Sequence, residues 1–243
     1  MNINARRGFQ PEDIRQFTGN ALEQLQKAAK EVHYLFDHGY PAKTTTVFVG
    51  NHYSFSERQR LALVRSVSPT EYVEKRLAKE IHLSDHLTPP DKVYIDGFNT
   101  IITLEVALSH SPILACMDGT YRDLAGLRGT YRLIDETRTA VGLILTELDH
   151  HHIKEAVFYL DQPVSNSGRL KQLIMEMAEE HEVEVTVIVI PDVDRELQKL
   201  PCVITSDAII LNHCESWINL VKGIIDRMEK VWKVELVDIP HTK

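Results

Sequence analysis

Lys92-Val93-Tyr94-Ile95-Asp96-Gly97-Phe98-Asn99 opens the stretch whose rhythm decides the fold. A short apolar run breaks on Asp-Gly, and a helical pattern follows. The same alternation then repeats to the end of the chain. Apolar runs at 92–96, 113–117, 156–160, 185–190 and 202–204 are separated by helical patterns near 99–109, 132–152, 167–181 and 192–199. A last helix is expected near 215–231, and Trp232–Val237 reads as an added edge strand. Buried strands alternating with helices predict a three-layer α/β/α arrangement around a mainly parallel sheet, with helices on both faces.

Upstream, the pattern is helical throughout. Ile14, Phe17, Leu22, Leu25, Ala29, Val32 and Leu35 recur near helical spacing, and Gly39 supplies a stop. Pro41 opens a second helix, Ser56 with Gln59 forms a capping-box pair for a third, and Ser68, Pro69 and Glu71 start a fourth. Thr88-Pro89-Pro90 reads as a rigid joint. The expected organisation is therefore a helical domain over 1–90 and an α/β domain over 91–243.

The chain has 243 residues, 43% of them hydrophobic and 26% charged, which excludes a disordered or low-complexity protein. Its net charge of −8 is uneven: residues 1–90 carry 12 Lys and Arg against 10 Asp and Glu, and the remainder 15 against 25. Nucleic acid binding would therefore need a local basic patch. Arg58, Arg60, Arg65, Lys75, Arg76 and Lys79 form the most basic stretch, in the helical region. Cys116, Cys202 and Cys214 are too widely spaced for a zinc ribbon and read as buried thiols. No apolar run is long enough to span a bilayer, and the first residues lack the apolar stretch of a secretory leader, so a cytoplasmic location is expected.

Ligands of parallel α/β sheets sit beyond the carboxyl ends of the strands. The five apolar runs lead into Asp96, Asp118, Asp161, the pair Asp192/Asp194 and Asp207, so each delivers an acid there. One such aspartate is ordinarily a helix cap or turn residue. Five on one edge would repel one another unless a cation neutralised them, and Mg²⁺ or Mn²⁺ suits oxygen-only ligands. The segment 118–138 adds Arg122, Arg128, Arg132 and Arg138, suited either to gripping phosphates or to pairing with local acids. Ser165-Asn166-Ser167-Gly168 starts a helix and could hold a phosphate or serve as an ordinary cap. His150, His151 and His152 at a helix end are favoured electrostatically there without any metal.

Tyr94-Ile95-Asp96-Gly97-Phe98-Asn99 resembles the opening strand of PIN-like and NYN nuclease domains, and Val203-Ile204-Thr205-Ser206-Asp207 is similar to their late strand. The whole chain also resembles an uncharacterised prokaryotic family that joins a helical N-terminal domain to such an α/β domain. The PIN-like resemblance implies a metal-dependent endoribonuclease, a hydrolase in which Mg²⁺ or Mn²⁺ is held by acids and water attacks a phosphodiester. By position, Asp96 and Asp207 match the first and late acids, and Asp161 matches the middle one more loosely. Glu105 and Glu136 are the candidates for the helix-borne acid that many members carry.

The expected activity is thus a divalent-metal-dependent phosphodiesterase acting on RNA. Asp96, Asp161 and Asp207 would be catalytic, and Asp96, Asp118, Asp161, Asp192 and Asp207 would be the metal ligands. Arg122, Arg132, Ser165, Ser167 and Asn99 would bind substrate. A Toprim-like site, suggested by Asp192-Val193-Asp194, lacks the first-strand Glu expected there. A non-catalytic module that binds RNA or protein is the other reading, and assembly of identical copies stays open.

Overall fold

The structure is a computed structural model that describes residues 6–83, 89–126, 129–229 and 235–240. Arg128, Thr88 and residues 232–234 of the expected edge strand lie outside the described residues. The N-terminal region is helical: α1 (Asp13–Gln16), α2 (Gly19–Asp37), α3 (Ala42–His52), α4 (Glu57–Ser66) and α5 (Thr70–Leu77). The punctuation visible in the sequence is physically present. The Ser56 hydroxyl accepts the Gln59 amide while the Gln59 side chain accepts the Ser56 amide, a reciprocal capping box that opens α4.

The alternating region runs β1 (Lys92–Asp96), α6 (Gly97–Leu108), β2 (Ile113–Ala115), β3 (Tyr121–Asp123), α7 (Asp135–His150) and β4 (Glu155–Asp161). It continues through α8 (Ser167–Ala178), β5 (Glu184–Ile190), α9 (Val193–Leu197), β6 (Val203–Ile204), α10 (Ala208–His213), β7 (Trp217–Ile218), α11 (Leu220–Glu229) and β8 (Leu236–Asp238). Five of these strands form a parallel sheet in the order β5-β4-β1-β6-β7. The side chains of β1 divide the core between its two faces. Val93 and Ile95 pack with residues of α6, α7, α8 and α11, while Tyr94 packs with residues of α9 and α10.

The chain builds outward from β1 to β4 and β5, then returns to β1's other side to place β6 and β7. The helix leaving β1 packs on one face, and the helix leaving β6 packs on the other. The carboxyl ends of β1 and β6 thus flank the crevice that doubly wound sheets use for ligands. Gly97 permits a close approach at this point. A Cβ there would sit 2.5 Å from a Leu160 methyl and 2.9 Å from the Tyr159 carbonyl oxygen.

Two expectations are corrected. Ile113–Met117 does not belong to the main sheet: β2 lies in a second sheet of order β3-β2-β8, antiparallel to β3 and parallel to β8. Local apolarity marked a strand, but its partners come from a tight turn through Gly119, at φ +76°, and from the far end of the chain. Residues 215–219 are not helical either, because Trp217–Ile218 forms the edge strand β7. The Trp217 indole is buried and donates to the Arg76 carbonyl at 2.7 Å.

The small sheet joins the helices to the rest. Leu114, Cys116, Leu124, Val237 and Ile239 share a core with Leu25, Val32 and Leu63 of the helical region. At its centre Asp118, 1% exposed, pairs with Arg76 of α5 at 2.6 Å and with Arg122 of β3 at 2.5 Å. Asp118→Ala would leave two buried guanidiniums without their counter-charge. We expect it to destabilise the fold by about 3–5 kcal/mol in denaturant titration. A loss below roughly 1 kcal/mol, the value of an exposed pair, would contradict this placement.

Candidate functional site

A cleft of about 410 Å³ opens at the carboxyl edge of the main sheet and gathers Asp96, Asp161, Asp194 and Asp207 with Asn99. Asp96 ends β1 and Asp161 ends the adjacent β4, and strands in such a pair lie about 4.8 Å apart. Asp207 follows β6 on the opposite side and caps α10. Thr205 links them: its hydroxyl donates to Asp96 Oδ2 at 2.8 Å, and the Asp207 amide donates to the same hydroxyl at 3.0 Å. Asn99 holds the loop from below, its Oδ1 accepting the Ser206 amide at 3.1 Å and the Ser206 hydroxyl at 2.7 Å.

Asp96 uses both oxygens, Oδ1 accepting the Asn99 amide at 3.4 Å as the cap of α6 and Oδ2 the Thr205 hydroxyl, while the other acids keep part of theirs uncommitted. Asp207 Oδ1 accepts the amides of Ile209 and Ile210, and Asp161 Oδ1 accepts the Val193 amide at 3.4 Å. Among the described residues, Oδ2 of both and the whole Asp194 carboxylate lack a hydrogen-bonding partner. The opposite wall is apolar, built from Leu61 of α4, Phe98, Ile102 and Val164. Asp123 and Arg65 complete the rim.

The predicted residues divide sharply. Asp96, Asp161, Asp207 and Asn99 line the cleft. Asp118 does not, because its strand belongs to the other sheet and its carboxylate is spent on Arg76 and Arg122. Burial works to raise its pKa, but Arg122, Thr120 and Arg76 outweigh it and hold it at about 2. Arg122 is no phosphate grip, since its Nε donates to the Ser206 carbonyl, Nη1 to the Arg65 carbonyl and Nη2 to Asp118. Arg132 is exposed outside the cleft.

Ser165 is tied to the backbone of Tyr131, donating to its carbonyl at 2.9 Å and accepting its amide at 2.8 Å. Ser167 begins α8 away from the cleft lining. Asp192 is exposed and caps α9 by accepting the Arg195 amide at 3.1 Å, so Asp194, two residues on, is the acid that faces the cleft. Capping alone does not separate them, since Asp96 and Asp207 also cap the helices that follow them and still line the cleft. Glu105 is fully buried and paired with Arg7 at 2.7 Å and with the Tyr131 hydroxyl at 2.7 Å, and neither it nor Glu136 lines the cleft. His151 pairs with Glu147 at 3.0 Å, beyond this cleft.

The donors of the cleft are all hard oxygens, the chemistry that Mg²⁺ and Mn²⁺ select. Among the described residues, though, no three His, Cys, Asp or Glu side chains are already drawn together around one ion position. The acids fit a hard cation by type, and Asp161, Asp194 and Asp207 by their unspent oxygens, and they would have to move inward to enclose it. Among the described residues no helix is long and apolar enough to cross a membrane.

Comparison with known proteins identifies both parts of the chain. Residues 88–223 match a domain of unknown function, DUF5616, and residues 24–79 match a protein family of unknown function, DUF434. An uncharacterised protein of Methanocaldococcus jannaschii is 32% identical over 208 residues, covering 85% of this chain and 99% of that one. No solved structure matches the chain.

Burial and like charge together disfavour ionisation in the cleft. Burial raises the Asp96 carboxyl to about 8; the Thr205 hydroxyl opposes the shift, and the charges of Asp207, Asp194 and Asp161 add to it. Burial, then Asp207, Asp161 and Asp192, raise Asp194 to about 6, and burial also raises Asp161 against the opposing Val193 amide. The folded Asp96 keeps its proton to about pH 8, whereas the ordinary carboxyl releases it near 3.8. The folded form therefore binds more protons across that window, and this contribution to stability falls as pH rises through it. In chelator at pH 8.5, Asp96→Asn should melt above the wild type by about 1 kcal/mol, roughly 2–4 °C for a chain of this size. At pH 5 the difference should shrink. Parallel melting curves at both pH values would contradict the assignment.

Proposed function

The chain belongs to the family defined by the domain of unknown function DUF5616, and from that premise we propose that it is a divalent-metal-dependent phosphodiesterase of PIN-like type that cleaves RNA. The observation that carries the reading is the meeting of Asp96, Asp161, Asp194 and Asp207 in one cleft at the switch point of a parallel sheet. The Asp-Gly-Phe-Asn and Thr-Ser-Asp segments that resemble nuclease motifs flank this crevice on adjacent strands. They are also hydrogen-bonded to each other through Thr205 and Ser206.

In this reading Asp96, Asp161, Asp194 and Asp207 hold Mg²⁺ or Mn²⁺, which when bound supplies an acidified water and offsets charge at the phosphoryl group. The chain's own residues do the positioning. The Thr205 hydroxyl fixes the Asp96 carboxylate, and Asn99 fixes the loop that presents Asp207. Leu61, Phe98 and Val164 give the cleft an apolar wall against which a sugar or base could lie. RNA as substrate comes from the resemblance of the two motifs.

A second reading, a non-catalytic RNA- or protein-binding module, is favoured by one observation: the acids are not already closed around an ion position among the described residues. Cleavage of a labelled single-stranded RNA oligonucleotide after chelation and Mn²⁺ add-back separates the two. We expect Mn²⁺-dependent cleavage that falls by about 100-fold or more in Asp96→Asn, with the helical circular dichroism unchanged. Cleavage that persists in a folded Asp96→Asn protein, or that ignores the metal, would overturn the proposal.

A further inference from the structure

We propose that Arg65, carried to the cleft by the helical region, is the residue that holds a substrate phosphate. This inference rests on the phosphodiesterase reading and deepens it. A cleft lined by Asp96, Asp123, Asp161, Asp194 and Asp207 repels any anion. A bound divalent cation would offset only part of that charge, so a polyanionic ligand needs a fixed positive group as well. Arg65 is the one cationic side chain among the described residues that line the cleft.

Most alternatives are removed by their own bonds, and Arg132 by its place outside the cleft. Arg58 forks onto Asp13 and donates to the Gly8 and Leu124 carbonyls. Arg60 is held by the Phe55 and Val47 carbonyls and by Asn51. Arg76 is buried against Asp118, Ser68 and Asn212, and Lys79 binds the carbonyls of Leu211 and Cys214. The basic stretch seen in the sequence is thus mostly a set of structural clamps. In the 118–138 segment Arg122 is buried with each of its three nitrogens bonded, and Arg138 pairs with Glu176 at 2.9 Å on the exterior.

Arg65 is different in kind. Its side chain is 27% exposed, and among the described residues its guanidinium makes no hydrogen bond and one ion pair, with Asp123 at 3.9 Å. That distance is too long for a hydrogen bond, so the planar fork remains free to take two phosphate oxygens. Asp123 has other commitments: Oδ1 accepts the Ala125 amide at 2.7 Å and Oδ2 accepts the Thr103 hydroxyl at 3.3 Å. Asp123 therefore acts as a weak placeholder that an incoming phosphate can displace. The backbone beneath Arg65 is firmly set, because its carbonyl accepts Arg122 Nη1 at 2.7 Å and the next carbonyl, of Ser66, accepts the Met117 amide at 3.0 Å. Leu61, one turn earlier on the same helix face, lines the same cleft.

The test measures binding of a labelled single-stranded RNA oligonucleotide by fluorescence anisotropy in Ca²⁺, with the oligonucleotide checked intact on a gel, beside calorimetric titration with Mn²⁺. We expect Arg65→Ala to bind Mn²⁺ as the wild type does and to bind the oligonucleotide about tenfold more weakly. The slope of log affinity against log salt should fall by about 0.7, one phosphate contact on a single strand. Arg65→Lys should keep the salt slope and recover only part of the affinity, since an ammonium cannot fork. Lys75→Ala, on an exposed lysine paired with Glu71 outside the cleft, should change neither. Oligonucleotide affinity and salt slope unchanged in an Arg65→Ala protein that still binds Mn²⁺ would overturn this inference and leave the metal site standing. A wild type that binds neither Mn²⁺ nor oligonucleotide would remove the inference together with the reading beneath it.

Discussion

The buried guanidinium of Arg122 is the point on which the rest of the arrangement hangs. Its three nitrogens reach three separate parts of the chain: the Arg65 carbonyl at the end of α4, the Asp118 carboxylate in the turn after β2, and the Ser206 carbonyl beside Asp207. Removing such an ion pair from water costs several kcal/mol per charge, and the hydrogen bonds from each of the three guanidinium nitrogens offset that cost. What the pair secures above all is position. It locks the helical region, the small sheet and the acidic edge of the main sheet into one geometry, so that a residue of α4 stands over acids borne by β1, β4 and β6.

The acidic edge pulls the other way. Burial disfavours the ionised form of Asp96, the charges of three neighbouring carboxylates add to it, and the hydrogen bond from Thr205 offsets only part of that penalty. Groups that fold against their own electrostatic preference are expected where a cation or a proton is to be managed. The cleft would relax on neutralisation, and Arg65 would then meet an anion across it. The helical region is thereby a wall of the site, through Leu61 and Arg65, and not an appendage beside it.

Much of this was legible in the sequence because it is local. The strands β1, β4 and β5 follow from short apolar runs, α4 from the Ser56/Gln59 capping pair, and Asp96 and Asp207 from their places directly after apolar runs. What escaped depends on pairing across long separations. β2 is three residues whose parallel neighbour β8 lies over a hundred positions away, so nothing in its own composition says that it leaves the main sheet. The same long separation hides from the sequence that Asp118 stands apart from the other acids. β7 is two residues, too short to carry a periodicity. Asp192 and Asp194 looked equivalent until the helix start spent the first as a cap. Among the arginines, composition could not tell which would be consumed by backbone carbonyls; Arg65 stands apart only once Arg58, Arg60, Arg76 and Arg122 have found their partners.

Anomalous diffraction from crystals grown with Mn²⁺ tests the central claim most directly. The account predicts a manganese peak in the cleft within bonding reach, about 2.2 Å, of oxygens from Asp96 and at least two of Asp161, Asp194 and Asp207. It also predicts that the four side chains lie closer together than they do without the ion. A fully occupied peak elsewhere on the molecule with an empty cleft, in crystals where those carboxylates are ionised and accessible, would contradict it.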